Sequence, residues 1–360
     1  MTVRVGVVGT SWWADGMHLP SLASHDGAVI AALCGRDRKR AEEMAARHGA
    51  KKVFTDWKTM LEANVLDAVI IAVPDELHHP IAMAALKRGL HVLCEKPLGL
   101  DARQAHEMYA LSREKKRITM TYFTFRWLVQ SEEMKRLVDE GFVGKIQYAH
   151  FAFLAGGSRG GWKENWRYDQ RKANGALGDY GSHMIDMARW LCGEISTVSA
   201  HLATFTKPPH GADVSQANEA AILSVAFENG AQGTIRASNM ELVRHDGFEL
   251  HAEVCGDAGR MDLRVDMSGA TLRGARNGDA ESRELMIRPD ILRDVDLRLG
   301  IVDQKRQIFR RRSSGVRGFI DAILEGRPAV PDFRDGWLAQ VVMDAAIDSD
   351  TTGRRIAIGS

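Results

Sequence analysis

Cysteine is scarce: 360 residues hold four, Cys34, Cys94, Cys192 and Cys255, far apart and without a CxxC pair. That spacing offers neither a disulfide framework nor a zinc cluster, and with no secretory leader in view the expected home is a reducing cytoplasm. Long apolar runs are missing too. Ala68–Val73 spans six residues, and no run approaches the roughly 20 needed to cross a bilayer. Nor is there an excess of one charge. Lys plus Arg number 48 against 47 Asp plus Glu, a formal net charge of +1, so no global field gathers nucleic acid or an anionic membrane. Internal repeats and low-complexity linkers are absent as well.

What is present is ordinary globular material, 45% hydrophobic and 26% charged, with length for roughly two domains at ~150 residues each. Up to residue 122, short β-branched runs (Val3–Gly9, Val29–Cys34, Ala68–Pro74, His91–Glu95, Ile118–Tyr122) alternate with amphipathic stretches at 38–48, 56–63, 78–88 and 101–116. Such alternation predicts a parallel sheet covered on both faces. From 123 to 360 the pattern changes. Helical stretches near 130–140 and 179–192 accompany alternating runs at Lys145–Leu154, Thr197–Thr206, Glu219–Phe227, Ala231–Ser238, Phe248–Cys255 and Arg260–Val265. An Asn-Gly pair, Asn229-Gly230, separates two of them and signals a hairpin. The expected fold class is α/β: an N-terminal dinucleotide-binding Rossmann domain at 1–122, and an α+β domain at 123–360 with a large, mostly antiparallel open sheet. The last helix, about 334–348, is expected to pack back on the first domain.

The first strand runs into Gly9-Thr10-Ser11-Trp12-Trp13-Ala14, a variant of GxGxxG. In that motif the first Gly permits the tight turn, the second lets backbone approach a pyrophosphate, and the third packs helix on strand. Ser at the second place departs from it. The two Trp are expected to pack over the loop or line its mouth. At the end of the second strand NAD calls for an acid that bonds the ribose. Here stands Cys34-Gly35-Arg36-Asp37-Arg38-Lys39-Arg40. Gly35 makes room, and Arg36 with Arg40 could hold the additional phosphate of NADP, since guanidinium meets phosphate in a planar fork. Asp37 could oppose this by pairing with an Arg or reaching the ribose, and a solvated charged helix start is the bland alternative. NADP(H) is favoured over NAD(H).

The segment His91-Val92-Leu93-Cys94-Glu95-Lys96-Pro97-Leu98 puts a lysine at the carboxyl end of a strand, where open parallel sheets bind ligands. Further on, Gly175 to Asp186 reads GALGDYGSHMID. In a helix over 179–191, Asp179, His183 and Asp186 share one face. A histidine between carboxylates suits a general acid/base or half a metal site, but no companion cluster is evident even though His78, His79 or His201 could reach it, and no metal site is expected.

These segments resemble the Gfo/Idh/MocA family of oxidoreductases over nearly the whole chain. The resemblance rests on GTSWWADGMHLP at 9–20, VPDELHHPIAMAALKRGLHVLCEKPL at 73–98, NWRYDQRKANGALGDYGSHMIDMARWLCG at 165–193 and GWLAQVVMDAAI at 336–347. It implies that Lys96 hydrogen-bonds the reacting oxygen, that Lys96-Pro97 is cis, and that His183 is the general base with Asp179 holding it or the substrate. Cofactor contacts are implied at Gly9, Thr10, Ser11, Trp12, Trp13, Gly35, Arg36, Arg40, Val73, Pro74, His78, Glu95 and Lys96. Substrate contacts are implied at Lys96, Arg126, Trp166, Arg167, Asp179 and His183. The family carries over a sugar, cyclitol or related polyol as substrate and a homo-oligomer formed through the C-terminal sheet. Asp75, Asn174 and Ser11 depart from the family pattern and touch cofactor geometry more than reaction class. Two alternatives stay open: a nicotinamide-dependent glycosidase or elimination enzyme without net redox, and a dinucleotide-sensing regulatory protein. Arg310-Arg311-Arg312 beside Lys305 and Arg306 reads as a solvated face or an oligomer salt-bridge surface rather than a nucleic-acid site.

Overall fold

The computed structural model describes residues 2–162, 165–243 and 247–359. Two compact units emerge. The first comprises 1–124 and 305–340, the second 125–304 and 341–360.

In the first unit six short strands, β1 (Val3–Val8), β2 (Ala28–Cys34), β3 (Lys52–Phe54), β4 (Ala68–Ile71), β5 (His91–Cys94) and β6 (Thr119–Thr121), form one sheet. Their order is β3-β2-β1-β4-β5-β6, and every pairing is parallel. This is the doubly wound arrangement whose order reverses between β1 and β4. Buried Val, Ile, Leu and Ala make up β4 and most of β2, as a sheet covered on both faces requires. Helices start where a side chain can satisfy their loose amides. Asp37 accepts from Arg40 N–H (3.1 Å), Asp56 from Thr59 N–H (2.9 Å) and Asp101 from Gln104 N–H (2.6 Å). Strand β3 is an addition to the sequence reading, too short to show an alternation.

Among the described residues the second unit holds nine strands: β7 (Ile146–Ala155), β8 (Ile195–Ala203), β9 (Ala220–Phe227), β10 (Gln232–Ser238), β11 (Phe248–Gly256), β12 (Gly259–Asp266), β13 (Gly269–Arg276), β14 (Arg283–Glu284) and β15 (Ile356–Ala357). They run in the order β14-β13-β12-β11-β7-β10-β9-β8-β15, antiparallel except for the central pair β7 and β10. Period-2 burial is plain in β9, where Ala221, Leu223 and Val225 are buried while Ile222 and Ser224 face out. The helix Ser182–Cys192 covers the apolar face, and Phe153 of β7 packs on His183 (ring centroids 6.0 Å). Asn229-Gly230 does turn β9 into β10, with Gly230 at φ +88° and Asn229 Oδ1 accepting from Ala231 N–H. All four cysteines are free thiols, and no helix among the described residues is long and apolar enough to cross a membrane.

One expectation fails in the helix Ile301–Arg311. Arg306, Arg310 and Arg311 are exposed, but Lys305 and Arg312 are buried, so the basic cluster is not a wholly solvated face. Ile308, Phe309 and Arg312 fall three, four and seven residues after Lys305, on the same buried stripe. The Lys305 ammonium lies 5.8 Å from the centroid of the Trp13 ring. Burial, reinforced by the Lys96 charge and opposed by Glu95, pulls its pKa down to about 7.

The linkage follows from that shift. A lysine at 10.5 unfolded and about 7 folded leaves the unfolded chain binding more protons between those values, so its contribution makes stability rise with pH across that window. Lys305→Met should abolish this rise, and relative to wild type should be stabilised below pH 7 by up to ~4 kcal/mol. Denaturant titrations of both proteins at pH 6 and pH 10 check this; an unchanged difference between the two pH values in the variant would contradict it.

Candidate active site

Strand β1 ends at Val8, and the chain turns at Gly9, where φ is +125° and a Cβ would lie 2.0 Å from Ala72 O. Only glycine fits. Ser11, the departure from the glycine pattern, does helix work: its hydroxyl accepts from Ala14 N–H (3.2 Å) and its carbonyl from Asp15 N–H (3.0 Å), starting the helical run at 12–23. That run contains one wide turn, Ala14–His18, in which Leu19 N–H reaches Ala14 O. Trp12 is 64% exposed and stands edge-on to Trp13, with ring centroids 5.2 Å apart. Across the strand gap, a Cβ on Gly35 would meet the Thr10 methyl at 2.3 Å, so Gly35 is what lets the two turns close up. Arg36 and Arg40 are exposed, and Asp37 is occupied as a helix cap.

The β5 end carries Glu95-Lys96-Pro97, with the Lys96-Pro97 bond cis. His18, fully buried, holds Glu95 through Nε2 to Oε1 at 2.8 Å and packs its ring on Tyr122 at 4.5 Å. The glycine-turn helix is thereby tied to the lysine turn. His78, expected at the cofactor, sits between two backbone carbonyls. Its Nδ1 faces Pro97 O (2.8 Å) and its Nε2 faces Val73 O (3.0 Å), and its side chain is buried. Burial holds its pKa down, so the ring carries one proton and donates to one carbonyl at a time while it spaces the Val73-Pro74 and Lys96-Pro97 loops. His79 is paired with Glu107 at 2.7 Å. Lys305, absent from the sequence reading as a site residue, joins Glu95 and Lys96 in this electrostatic group.

In the second unit a wide turn, Leu177–Gly181, carries Asp179, and Ser182 N–H closes it onto Leu177 O before the helix Ser182–Cys192 begins. Single turns of this kind recur at functional sites. His183 is buried, with Phe125 edge-on at 4.9 Å and Phe153 beyond it, so its ring is oriented by packing. Arg167 Nε donates to Asp179 Oδ2 (3.1 Å) while its guanidinium lies 4.3 Å from the Trp166 ring centroid. Those three expected residues do come together. Arg126 is buried and donates two bonds to Asp186, Nε to Oδ2 at 2.8 Å and Nη2 to Oδ1 at 2.6 Å, so the two charges are paired within the second unit.

Comparison with known proteins gives the family. The family model described as "Oxidoreductase family, NAD-binding Rossmann fold" matches residues 3–123, and "GFO/IDH/MocA C-terminal domain" matches 131–262. Levoglucosan dehydrogenase of Pseudarthrobacter phenanthrenivorans is 30% identical over 339 residues, covering 86% of this chain and 84% of that protein. Inositol 2-dehydrogenase of Rubrobacter xylanophilus is 29% identical over 358 residues, covering 98% and 92%. Among solved structures, a levoglucosan dehydrogenase in complex with NADH and levoglucosan superposes with a TM-score of 0.90 at 26% identity, covering all of both chains. The chain belongs to the GFO/IDH/MocA family of NAD(P)-dependent oxidoreductases.

Proposed function

We propose that the protein transfers a hydride between a nicotinamide cofactor and a secondary alcohol or carbonyl of a sugar, cyclitol or related polyol. The observation that carries this reading is the intact pair of turns: Lys96 at the carboxyl end of β5 beside the Glu95 that His18 holds, and His183 on a helix entered through the Asp179 turn. The glycine turn fits a dinucleotide, since Gly9 and Gly35 keep side chains out of the crevice and the amide end of the 12–23 helix stands next to it. Bound there, nicotinamide would supply the hydride donor or acceptor. Lys96 donates a hydrogen bond to the reacting oxygen and stabilises its negative charge. His183 takes the hydroxyl proton in oxidation and returns it in reduction. Asp179, steadied by Arg167, orients His183 or a substrate hydroxyl, and Trp166 offers an apolar ring face of the kind sugars stack on.

Within this reading NADP(H) is preferred over NAD(H). The similar levoglucosan dehydrogenase structure holds NADH, so the preference rests on this chain's own residues: no ribose-binding acid follows Gly35 directly, Asp37 is taken up by helix capping, and Arg36 and Arg40 are exposed. A homo-oligomer through the second sheet is supported by Tyr148 and Ile222, 43% and 55% exposed on its open face. Free thiols fit a cytoplasmic location.

Lys96→Ala and His183→Ala should each lower turnover by ~100-fold or more while NADPH still binds, as measured by fluorescence titration alongside a panel of sugars, cyclitols and glycosides. Glycoside cleavage without change in free cofactor would replace net oxidation by the non-redox alternative. Arg36→Ala should weaken NADPH binding by ~10-fold and leave NADH binding unchanged; equal affinities for NADPH in variant and wild type would remove the phosphate role.

A further inference from the structure

The face of the second sheet opposite the helix Ser182–Cys192 carries a group that the reaction does not use. Register puts His150 of β7 beside Glu253 of β11, and Glu253 beside Asp262 of β12, so three potential ligands form one row across three hydrogen-bonded strands. His251 lies two residues from Glu253 along β11, on the same face. Its Nε2 is hydrogen-bonded to Asp262 Oδ2 and stands 4.0 Å from Glu253 Oε2. One ligand atom from each of His251, Glu253 and Asp262 lies within 4.8 Å of the others. The ring of His150 is centred 5.2 Å from that of His251.

We propose that His251, Glu253 and Asp262 bind a divalent first-row transition ion, with zinc(II) as the probe and the His150 imidazole as the fourth donor. One or two imidazoles with two carboxylates suit such an ion better than calcium or magnesium, which favour all-oxygen shells. Supporting contacts have the form expected around metal ligands. His150 Nδ1 bonds Thr234 Oγ1 at 2.8 Å, which leaves Nε2 to carry a lone pair when Nδ1 is the donor. The Cys255 thiol donates to Glu253 Oε1 (3.2 Å). Asp262 is the least exposed of the three. Two guanidiniums compete for the same carboxylates, Arg264 at 3.1 Å from Asp262 and Arg260 at 3.9 Å from Glu253, but both are more than half exposed and solvent screens them. An ion there takes the His251 Nε2 lone pair, with the ring proton on Nδ1, and competes with protons for that nitrogen and the carboxylates. Affinity should therefore fall as pH falls. The four residues sit on sheet rather than loop, which holds the donor set rigid.

The test uses the full chain stripped with a chelator and titrated with zinc chloride by calorimetry, without cofactor or substrate. One ion per chain is expected, and His251→Gln and Glu253→Gln should each weaken binding by more than ~100-fold. A variant-free readout accompanies it: zinc should protect His251 and His150 from carbethoxylation, read by peptide mass spectrometry. Absence of saturable binding, retained affinity in both variants, or protection confined to other histidines would overturn the proposal. None of these outcomes depends on the hydride-transfer reading.

Discussion

Along the carboxyl edge of the first sheet, the residue just past each strand donates its amide to the last residue of a neighbour. Gly9 donates to Cys34 O (2.9 Å), Ala72 to Val8 O (2.8 Å), Glu95 to Ile71 O (3.0 Å) and Tyr122 to Cys94 O (2.9 Å). This row of bonds is what the nucleotide end depends on. It fixes how far each strand runs before its loop begins, and a slip of one residue would turn Lys96 to the opposite face of its strand. Gly9 against Ala72 O, His78 between the Val73 and Pro97 carbonyls, and His18 on Glu95 are all consequences of that edge being in register.

Electrostatics at this edge is a matter of how few anions serve how many cations. Glu95 opposes the effect of the Lys96 charge on Lys305, and it is already engaged by His18. Burial and the Lys96 charge make Lys305 give up its proton more readily than an exposed lysine does. In the second unit the opposite strategy applies. Arg126 and Asp186 neutralise each other at two points, which leaves the neighbouring His183 without a net charge from that pair.

Features legible in the sequence were those written in consecutive residues. The glycine turn, the Glu95-Lys96-Pro97 turn, the Asp179 to Asp186 stretch and the Asn-Gly hairpin each declare themselves locally, and the alternation of strand and helix gives the sheet. Features that depend on partners far along the chain did not show. Arg126 is held by Asp186, 60 positions away. His78 has both ring nitrogens against backbone carbonyls of separate loops. The row of His150, Glu253 and Asp262 exists only through strand register, which no short window contains. Lys305 was the exception that could have been found, since its spacing to Ile308, Phe309 and Arg312 marks a buried helical stripe, but three adjacent arginines drew attention to charge instead of period.

The chain enters the first unit, leaves it after residue 124, returns over 305–340 and ends in the second. As it emerges from the ribosome, the parallel sheet is complete long before the segment that buries Lys305 and Phe333 against it has been made. For the intervening span, half of synthesis, the first unit must wait with an uncovered surface. A half cut out at residue 124 would keep that surface uncovered permanently.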